Sequence, residues 1–205
     1  MAAKPFRKQT VPELLTIELV GGFFFCTLRS DWPHALDAKP LIDHDEYVRL
    51  KERADLAHAR YKATELLARA ANSKSDLRRK LVQRGFDKET ANTVLDAMEE
   101  EGTVDDERFA ESWLRSTLRR KNASNAALSA GLAGRGVSSD VARRALESVL
   151  EEGVRDELDR LCQVGDSLRG DYAKVARRLL SRGFPPGAVR QYVEARFRSE
   201  DGFSD

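Results

Sequence analysis

The sequence has few of the residues that disulfide frameworks and metal sites need. Its 205 residues include two cysteines and three histidines. Cys26 and Cys162 lie far apart in different kinds of segment, so we expect both to be small buried apolar residues in a reducing compartment. His34, His44 and His58 have neither metal-ligand spacing nor a cysteine partner, which predicts no metal site and no other cofactor.

Long apolar runs are also absent from the sequence. The one strongly apolar stretch lies near the N-terminus and is interrupted by Glu13, Glu18 and the Gly21-Gly22 pair. A membrane-spanning helix needs about 20 apolar residues, and the N-terminus lacks the basic, apolar and small-residue order of a signal peptide. We therefore expect a soluble, cytoplasmic protein that has no membrane partner.

Neither sign of charge is in excess, because 35 basic residues stand against 34 acidic ones. A uniformly basic nucleic-acid coat protein is therefore not indicated, and any contact with a polyanion must come from local segregation of charge. Such segregation is present. Five basic residues stand against one acidic residue in 73–86, and four against one in 171–184, whereas eight acidic residues face one arginine in 96–111.

A signature occurs three times: a capping residue, two apolar residues four positions apart, an arginine, a glycine and a further apolar residue. The copies are Ser73–Phe86, Ser124–Val137 and Asp171–Phe184, which begin 51 and then 47 residues apart. Each copy predicts a short helix with a side-chain N-cap, an apolar pair facing the core, and a left-handed glycine after its end. The chain is thus predicted to be a tandem array of one helical unit.

Helical periodicity on both sides of each copy extends the unit to three helices. We predict a mainly α protein, a tandem array of three three-helix repeats that is elongated and able to curve, with a small N-terminal β-hairpin segment. The hairpin runs from Leu14 to Leu28 and turns at Gly21-Gly22. The predicted divisions are 1–42 for the tail, hairpin and connector, 43–102 for repeat 1, 103–153 for repeat 2, and 154–205 for repeat 3 with a C-terminal tail.

Basic residues gather in or before the three capped helices. The simplest interpretation is that they solvate helix faces and complement the helix dipole. The dipole does not explain the clusters in mid-helix. A second interpretation is that these clusters contact a polyanion or an acidic protein face. The candidate residues are Lys74, Arg78, Arg79, Lys80 and Arg84 in the first copy, Arg120 and Lys121 before the second, and Lys174, Arg177 and Arg178 in the third.

Catalytic motifs are missing from the sequence. No phosphate-binding glycine loop follows a predicted strand. The adjacent carboxylates Asp105 and Asp106 lie at a predicted helix start, where such residues cap the helix more often than they hold a metal. We predict no catalytic residues and no enzymatic activity; an unrecognised carboxylate site would show itself as metal-dependent hydrolysis that is lost in Asp105→Ala.

Two motifs resemble the RecX family of recombination regulators. One begins with Ser73-Lys74-Ser75-Asp76-Leu77-Arg78 and continues to Leu81 and Gly85-Phe86. The more specific one follows the glycine-ended helix at Gly102 and consists of Asp105, Asp106, Phe109, Ala110 and Trp113. The resemblance covers about residues 55–198. The middle repeat departs from it, because its 126–130 stretch lacks the basic residues of its sister helices.

The resemblance implies a regulatory protein that binds the RecA recombinase and the RecA filament on single-stranded DNA. It implies inhibition of the recombinase and ATPase activities of RecA, and hence modulation of homologous recombination and DNA repair. The basic residues would then meet RecA or DNA phosphates, with DNA itself as a further partner and the chain as a monomer. The alternative is a helical-repeat DNA-binding module that acts independently of RecA.

Overall fold

The computed structural model describes residues 14–18, 24–35, 41–153 and 155–201. Strands β1 (Leu14–Glu18) and β2 (Phe24–Leu28) pair antiparallel, with Ile17 opposite Phe25, and a short 3-10 turn follows at Arg29–Asp31. The helices in the described part are α1 (His44–Arg69), α2 (Lys74–Gln83), α3 (Lys88–Glu100), α4 (Asp106–Leu118), α5 (Asn125–Ala133), α6 (Ser139–Glu151), α7 (Glu157–Ser167), α8 (Tyr172–Ser181) and α9 (Pro186–Asp201).

The three predicted capped helices are confirmed as α2, α5 and α8. Ser73, Ser124 and Asp171 each accept a hydrogen bond from the backbone N–H three residues further on, at 3.0, 3.1 and 2.8 Å. The glycines that end the copies, Gly85, Gly136 and Gly183, have φ values of 94°, 74° and 81°. Only glycine adopts this left-handed conformation without steric cost, which explains its position in each copy.

Each group of three helices closes around its own apolar core. The first core is built from α1, α2 and α3, the second from α4, α5 and α6, and the third from α7, α8 and α9. In each core the two apolar residues of the signature are buried; they are Leu77 and Leu81, Leu128 and Leu132, and Val175 and Leu179. The predicted mainly α fold with three three-helix repeats and a hairpin is therefore confirmed.

The chain divides into two compact units. The described residues up to Val104 form the first unit, which contains the hairpin and the first three helices, and the described residues from Asp105 form the second, which contains the other six described helices. Contacts inside each unit determine where the candidate side chains lie. In the described part of the chain, no helix is long and apolar enough to cross a membrane.

The hairpin packs against α1, as an isolated hairpin must to be stable in water. Phe25 is buried and its ring meets the ring of Tyr47 edge-on, with centroids 5.1 Å apart. The predicted burial of Cys26 is wrong: because side chains alternate along a strand, Cys26 lies on the exposed face together with Phe24. The turn predicted at Gly21-Gly22 lies outside the described residues.

Candidate partner-binding surfaces

Two of the basic residues in the first copy pair with carboxylates. The Lys74 ammonium lies 2.6 Å from the Asp96 carboxylate and also bridges to Glu99, both on α3. These hydrogen bonds raise the pKa of Lys74 above its ordinary value. Arg79 bridges to Asp76 on the same helix at 2.7 Å. Lys74 and Arg79 therefore contribute little net positive charge to the surface of α2.

The other three basic residues of this helix keep their charge unneutralised. Arg78 is exposed, the Lys80 ammonium donates to the amide oxygen of Asn72, and the Arg84 guanidinium donates to the carbonyl of Lys80 at 2.9 Å. Among the described side chains, none of the three forms an ion pair with a carboxylate. The unneutralised positive charge of α2 is thus carried by fewer residues than the sequence predicts. Lys80 and Arg84, four positions apart, share one face of the helix, whereas Arg78 lies on a different face.

Arg120 and Lys121 follow α4 and line an open pocket of about 630 Å³. The Arg120 guanidinium donates to the carbonyl and hydroxyl of Ser116, at 3.1 and 3.2 Å, and Lys121 is exposed. The pocket also contains Arg115 and Arg119 from the end of α4, and two basic residues that are distant in sequence, Arg155 and Arg160. The sequence indicates a basic loop here but not this cluster, because the fold brings the residues together from α4 and α7.

The basic residues of the third copy lie on the outside of α8. Lys174, Arg177 and Arg178 are all exposed, and the Arg178 guanidinium donates to the carbonyl of Arg169 at 3.2 Å. Over the described ranges, no carboxylate pairs with any of the three. Each repeat therefore presents unneutralised basic side chains, on α2, in the 119–121 loop and on α8.

The acidic band, by contrast, is largely neutralised within the molecule. Five of its eight carboxylates pair with basic side chains of the same compact unit: Asp96 and Glu99 with Lys74, Glu101 with Arg60, Glu107 with Arg144, and Glu111 with Arg115. These pairs connect helices of one repeat or turns of one helix. The acidic band therefore contributes less negative charge to the surface than the sequence suggests.

The most specific motif of the sequence builds the second repeat. Asp105 is the N-cap of α4 and accepts from the backbone N–H groups of Glu107 and Arg108, both at 2.9 Å. Phe109 and Ala110 are buried in the second core. The motif's first carboxylate is thus occupied as a cap, and in the part of the chain that the structure describes no group of three His, Cys, Asp or Glu side chains is arranged to hold a metal ion.

Trp113 completes the motif by packing against α5. The Arg135 guanidinium lies over its ring, 4.8 Å from the centroid. A Cβ atom on Gly131 would come within 2.5 Å of the Trp113 ring, so only glycine admits this contact. Together with Asp106 in the first turn of α4, these residues contribute to the folding of the repeat.

Comparison with known proteins matches segments of the first and second repeats to one family. The model of the first RecX three-helix domain matches residues 59–97, and that of the second matches residues 105–146. The chain is 34% identical over 183 residues to "Regulatory protein RecX" of Mycobacterium sp. (strain JLS), covering 83% of this chain and 96% of the relative. The chain belongs to the RecX family. A RecX regulatory protein of Chromohalobacter salexigens is 38% identical over 131 residues, covering 62% of this chain and 86% of the relative.

Solved RecX structures have the same fold. A crystal structure of regulatory protein RecX matches with a TM-score of 0.70 at 16% identity, covering 94% of this chain and 97% of that one. The RecX structure from Lactobacillus salivarius matches with a TM-score of 0.60 at 14% identity, covering 69% and 96%. Membership of the RecX family supports a regulatory role in recombination, and the relatives' names describe regulators and not enzymes.

Proposed function

We propose that this RecX-family chain binds RecA and the RecA filament on single-stranded DNA, and that it inhibits the recombinase and ATPase activities of RecA. The observation that carries this proposal is the 34% identity along 96% of a relative named as a regulatory protein. The resemblance seen in the sequence supplies the target, and the surfaces described above supply the means of contact.

The distribution of unneutralised basic side chains suits a repetitive partner. A helical filament offers the same acidic or phosphate groups at regular intervals, and the chain presents basic groups on three linked repeats. Contacts that are weak one by one reinforce each other through effective concentration when they are linked. Binding by several repeats at once is therefore expected to be tight without any single dominant contact, and sensitive to salt.

The test measures RecA-dependent ATP hydrolysis on single-stranded DNA as this protein is added. We expect the wild-type chain to slow hydrolysis at or below stoichiometric amounts. A variant that removes one exposed, unneutralised cation per repeat, Arg78→Gln with Lys121→Gln and Arg177→Gln, should need at least about tenfold more protein for the same inhibition, because the linked contacts are lost together.

The matched control removes three exposed cations that already have a carboxylate partner four residues away. It is Lys51→Gln with Arg143→Gln and Arg190→Gln, which changes the net charge equally. This control should inhibit as the wild type does. Hydrolysis that is unchanged at saturating wild-type protein contradicts the proposed function, and equal loss in both variants would assign the effect to net charge alone.

The second candidate function is a DNA-binding module that acts without RecA. The observation that favours it is the pocket in which basic side chains outnumber carboxylates. It predicts that the isolated chain binds DNA tightly and with a steep salt dependence. It also predicts that RecA hydrolyses ATP at its uninhibited rate when DNA is in excess over this protein. The two functions therefore separate in the same hydrolysis assay.

A further inference from the structure

The junction between repeats 2 and 3 shows how one repeat of this chain receives another. In the second compact unit, the N-terminus of α5 packs against the turn that ends α8. The Ser124 hydroxyl donates to the carbonyl of Arg182 at 2.7 Å. A Cβ atom on Gly183 would lie 3.0 Å from that hydroxyl and 3.4 Å from the Cβ of Ala126. The glycine therefore permits close packing between the repeats as well as the left-handed turn.

A cation from α7 completes the same junction. The Arg160 guanidinium donates to the carbonyl of Ala123 at 2.6 Å and to the amide oxygen of Asn125 at 2.7 Å. The junction thus has three parts. A turn offers a carbonyl and a glycine, a helix N-terminus with small residues packs on that turn, and the first helix of the receiving repeat supplies a cation.

The first repeat presents the same receiving turn in an exposed form. By their places in the signature, Arg84 and Gly85 correspond to Arg182 and Gly183. Gly85 has a φ of 94°. Apart from its adjoining residues, no described atom lies within 4 Å of the position that a Cβ on Gly85 would take. An open pocket of about 310 Å³ borders the turn, so the space that α5 fills beside Gly183 is free here.

A cation is also present at the matching position of the first helix. Both α1 and α7 end four residues before the cap of the next helix. Lys62 lies eleven residues before the cap Ser73, as Arg160 lies eleven residues before the cap Asp171. The Lys62 ammonium pairs with Glu65 at 3.0 Å, which uses one of its three N–H donors. Lys62 can therefore take the part that Arg160 plays.

The last repeat presents the inserting half of the junction. Its segment 170–173 corresponds to 123–126 of repeat 2 and is exposed throughout. The alanine that packs beside the receiving glycine is retained as Ala173. The cap differs, because Asp171 carries a carboxylate where Ser124 carries a hydroxyl.

The carboxylate of Asp171 suits the charges beside the Gly85 turn. It cannot donate to the Arg84 carbonyl as a serine does, but it can accept from the Arg84 guanidinium and the Lys62 ammonium. The acids beside the turn are already engaged within the molecule; they are Asp55, which pairs with Lys51 at 2.6 Å, and Asp87, which caps α3 by accepting from the Thr90 N–H at 2.8 Å. The two halves are therefore complementary in both shape and charge.

We propose that segment 170–173 of one copy of this chain docks on the Arg84–Gly85 turn of a second copy, in the manner of the junction between repeats 2 and 3. Such a contact joins unlike surfaces and leaves one surface of each kind free, so further copies can add in the same direction. One helix terminus on one turn is a small interface, so the association is weak and depends on concentration. The inference goes beyond the proposed function, because it involves neither RecA nor DNA, and it differs from the monomer that the resemblance implies.

The test measures the weight-average mass of the full chain by sedimentation equilibrium between about 5 and about 500 µM, a range that covers weak interfaces. The wild-type mass should rise with concentration toward the mass of two chains and beyond. Gly85→Asn and Ala173→Arg each place a side chain in the contact and should raise the dissociation constant at least about tenfold. Asparagine tolerates a positive φ, and Ala173 is an exposed helical position, so both variants should fold.

Mixing the two variants separates this arrangement from other modes of association. The Gly85→Asn chain keeps a normal 170–173 segment, and the Ala173→Arg chain keeps an open turn. An equimolar mixture should therefore associate as tightly as the wild type and stop at the mass of two chains. A wild type that stays at the mass of one chain over the whole range would overturn the inference. So would a mixture that does not associate under conditions in which the wild type does.

The matched control is Gly153→Asn. Gly153 also has a positive φ, 83°, and no described atom within 4 Å of its Cβ position, but it follows α6 and lies outside both halves of the proposed contact. This control should associate as the wild type does, and circular dichroism should show equal helix content in all the variants. Equal loss of association in Gly153→Asn and Gly85→Asn would contradict the inference.

Discussion

Replacing Arg160 by methionine tests how repeats 2 and 3 are held together. The Arg160 side chain, on α7, donates to the carbonyl of Ala123 and the amide oxygen of Asn125, which precede and begin α5. Methionine retains the apolar stem but none of the donors. The change is therefore expected to remove polar contacts between the repeats while keeping most of the packing.

The magnitude follows from the contacts that are lost. The Arg160→Met substitution leaves the Ala123 carbonyl and the Asn125 amide oxygen without their charged donor, whereas the Asp156 carbonyl keeps its helical bond from the Arg160 N–H. Each unsatisfied buried group costs about 1–3 kcal/mol, so the free energy of unfolding should fall by about 3 kcal/mol. With a urea dependence of about 1–3 kcal/mol per molar, the unfolding midpoint should decrease by about 1 M or more.

The assay follows urea unfolding by tryptophan fluorescence. The chain has two tryptophans, Trp32 in the first compact unit and Trp113 in the second. A Trp32→Phe background therefore makes Trp113 the reporter of the unit that contains Arg160. Arg155→Met is the matched control, because Arg155 is exposed and its loss should cost less than about 0.5 kcal/mol. Equal midpoints for the two methionine variants would refute the reasoning.

Two smaller predictions concern packing and pH. Gly131→Ala should destabilise the second unit by about 1–3 kcal/mol, because its Cβ would lie 2.5 Å from the Trp113 ring. The control Gly134→Ala, whose Cβ would meet only backbone oxygens at 3.5 Å or more, should be neutral or stabilising by up to about 1 kcal/mol. A lower urea midpoint for Gly134→Ala than for Gly131→Ala would contradict this prediction. Arg115 holds the pKa of Glu152 below its ordinary value, so the pair contributes stability above the unfolded pKa of about 4.3 and loses it as pH falls through the folded value. Glu152→Gln should therefore lower the thermal midpoint at pH 7 and shrink the difference between pH 7 and pH 3; an unchanged difference would show that the pair does not contribute.

Local chemistry explains why the helical repeats could be predicted from the sequence. The side chains of Ser73, Ser124 and Asp171 accept hydrogen bonds from backbone N–H groups three residues away. The glycine of each copy adopts a left-handed conformation just after the end of its helix. These interactions depend on short sequence spacings, so a pattern of residues is sufficient to reveal them. The family resemblance rests on the same positions, because its most specific motif builds and caps α4.

The charge on the candidate surfaces could be predicted only in part, because ion pairing joins distant residues. Lys74 is neutralised by carboxylates of α3 that lie 22 and 25 residues away, whereas Arg78 on the same helix has no such partner among the described residues. The burial of Arg160 is equally hidden, since an arginine is rarely buried and the acceptors that hold this one, on Ala123 and Asn125, are distant in sequence. The pocket depends on bringing together the end of α4 and the start of α7, which no periodicity indicates.

A footprint of the chain on a RecA filament tests the central claim most directly. The reactivity of each lysine toward acetylation is measured by mass spectrometry for the free chain and for the chain on filaments assembled on single-stranded DNA. The account predicts that Lys121 and Lys174, which are exposed on two candidate surfaces, become protected, while the exposed Lys88 at the start of α3 keeps its reactivity. Unchanged reactivity at Lys121 and Lys174 with the chain bound to the filament would contradict the account.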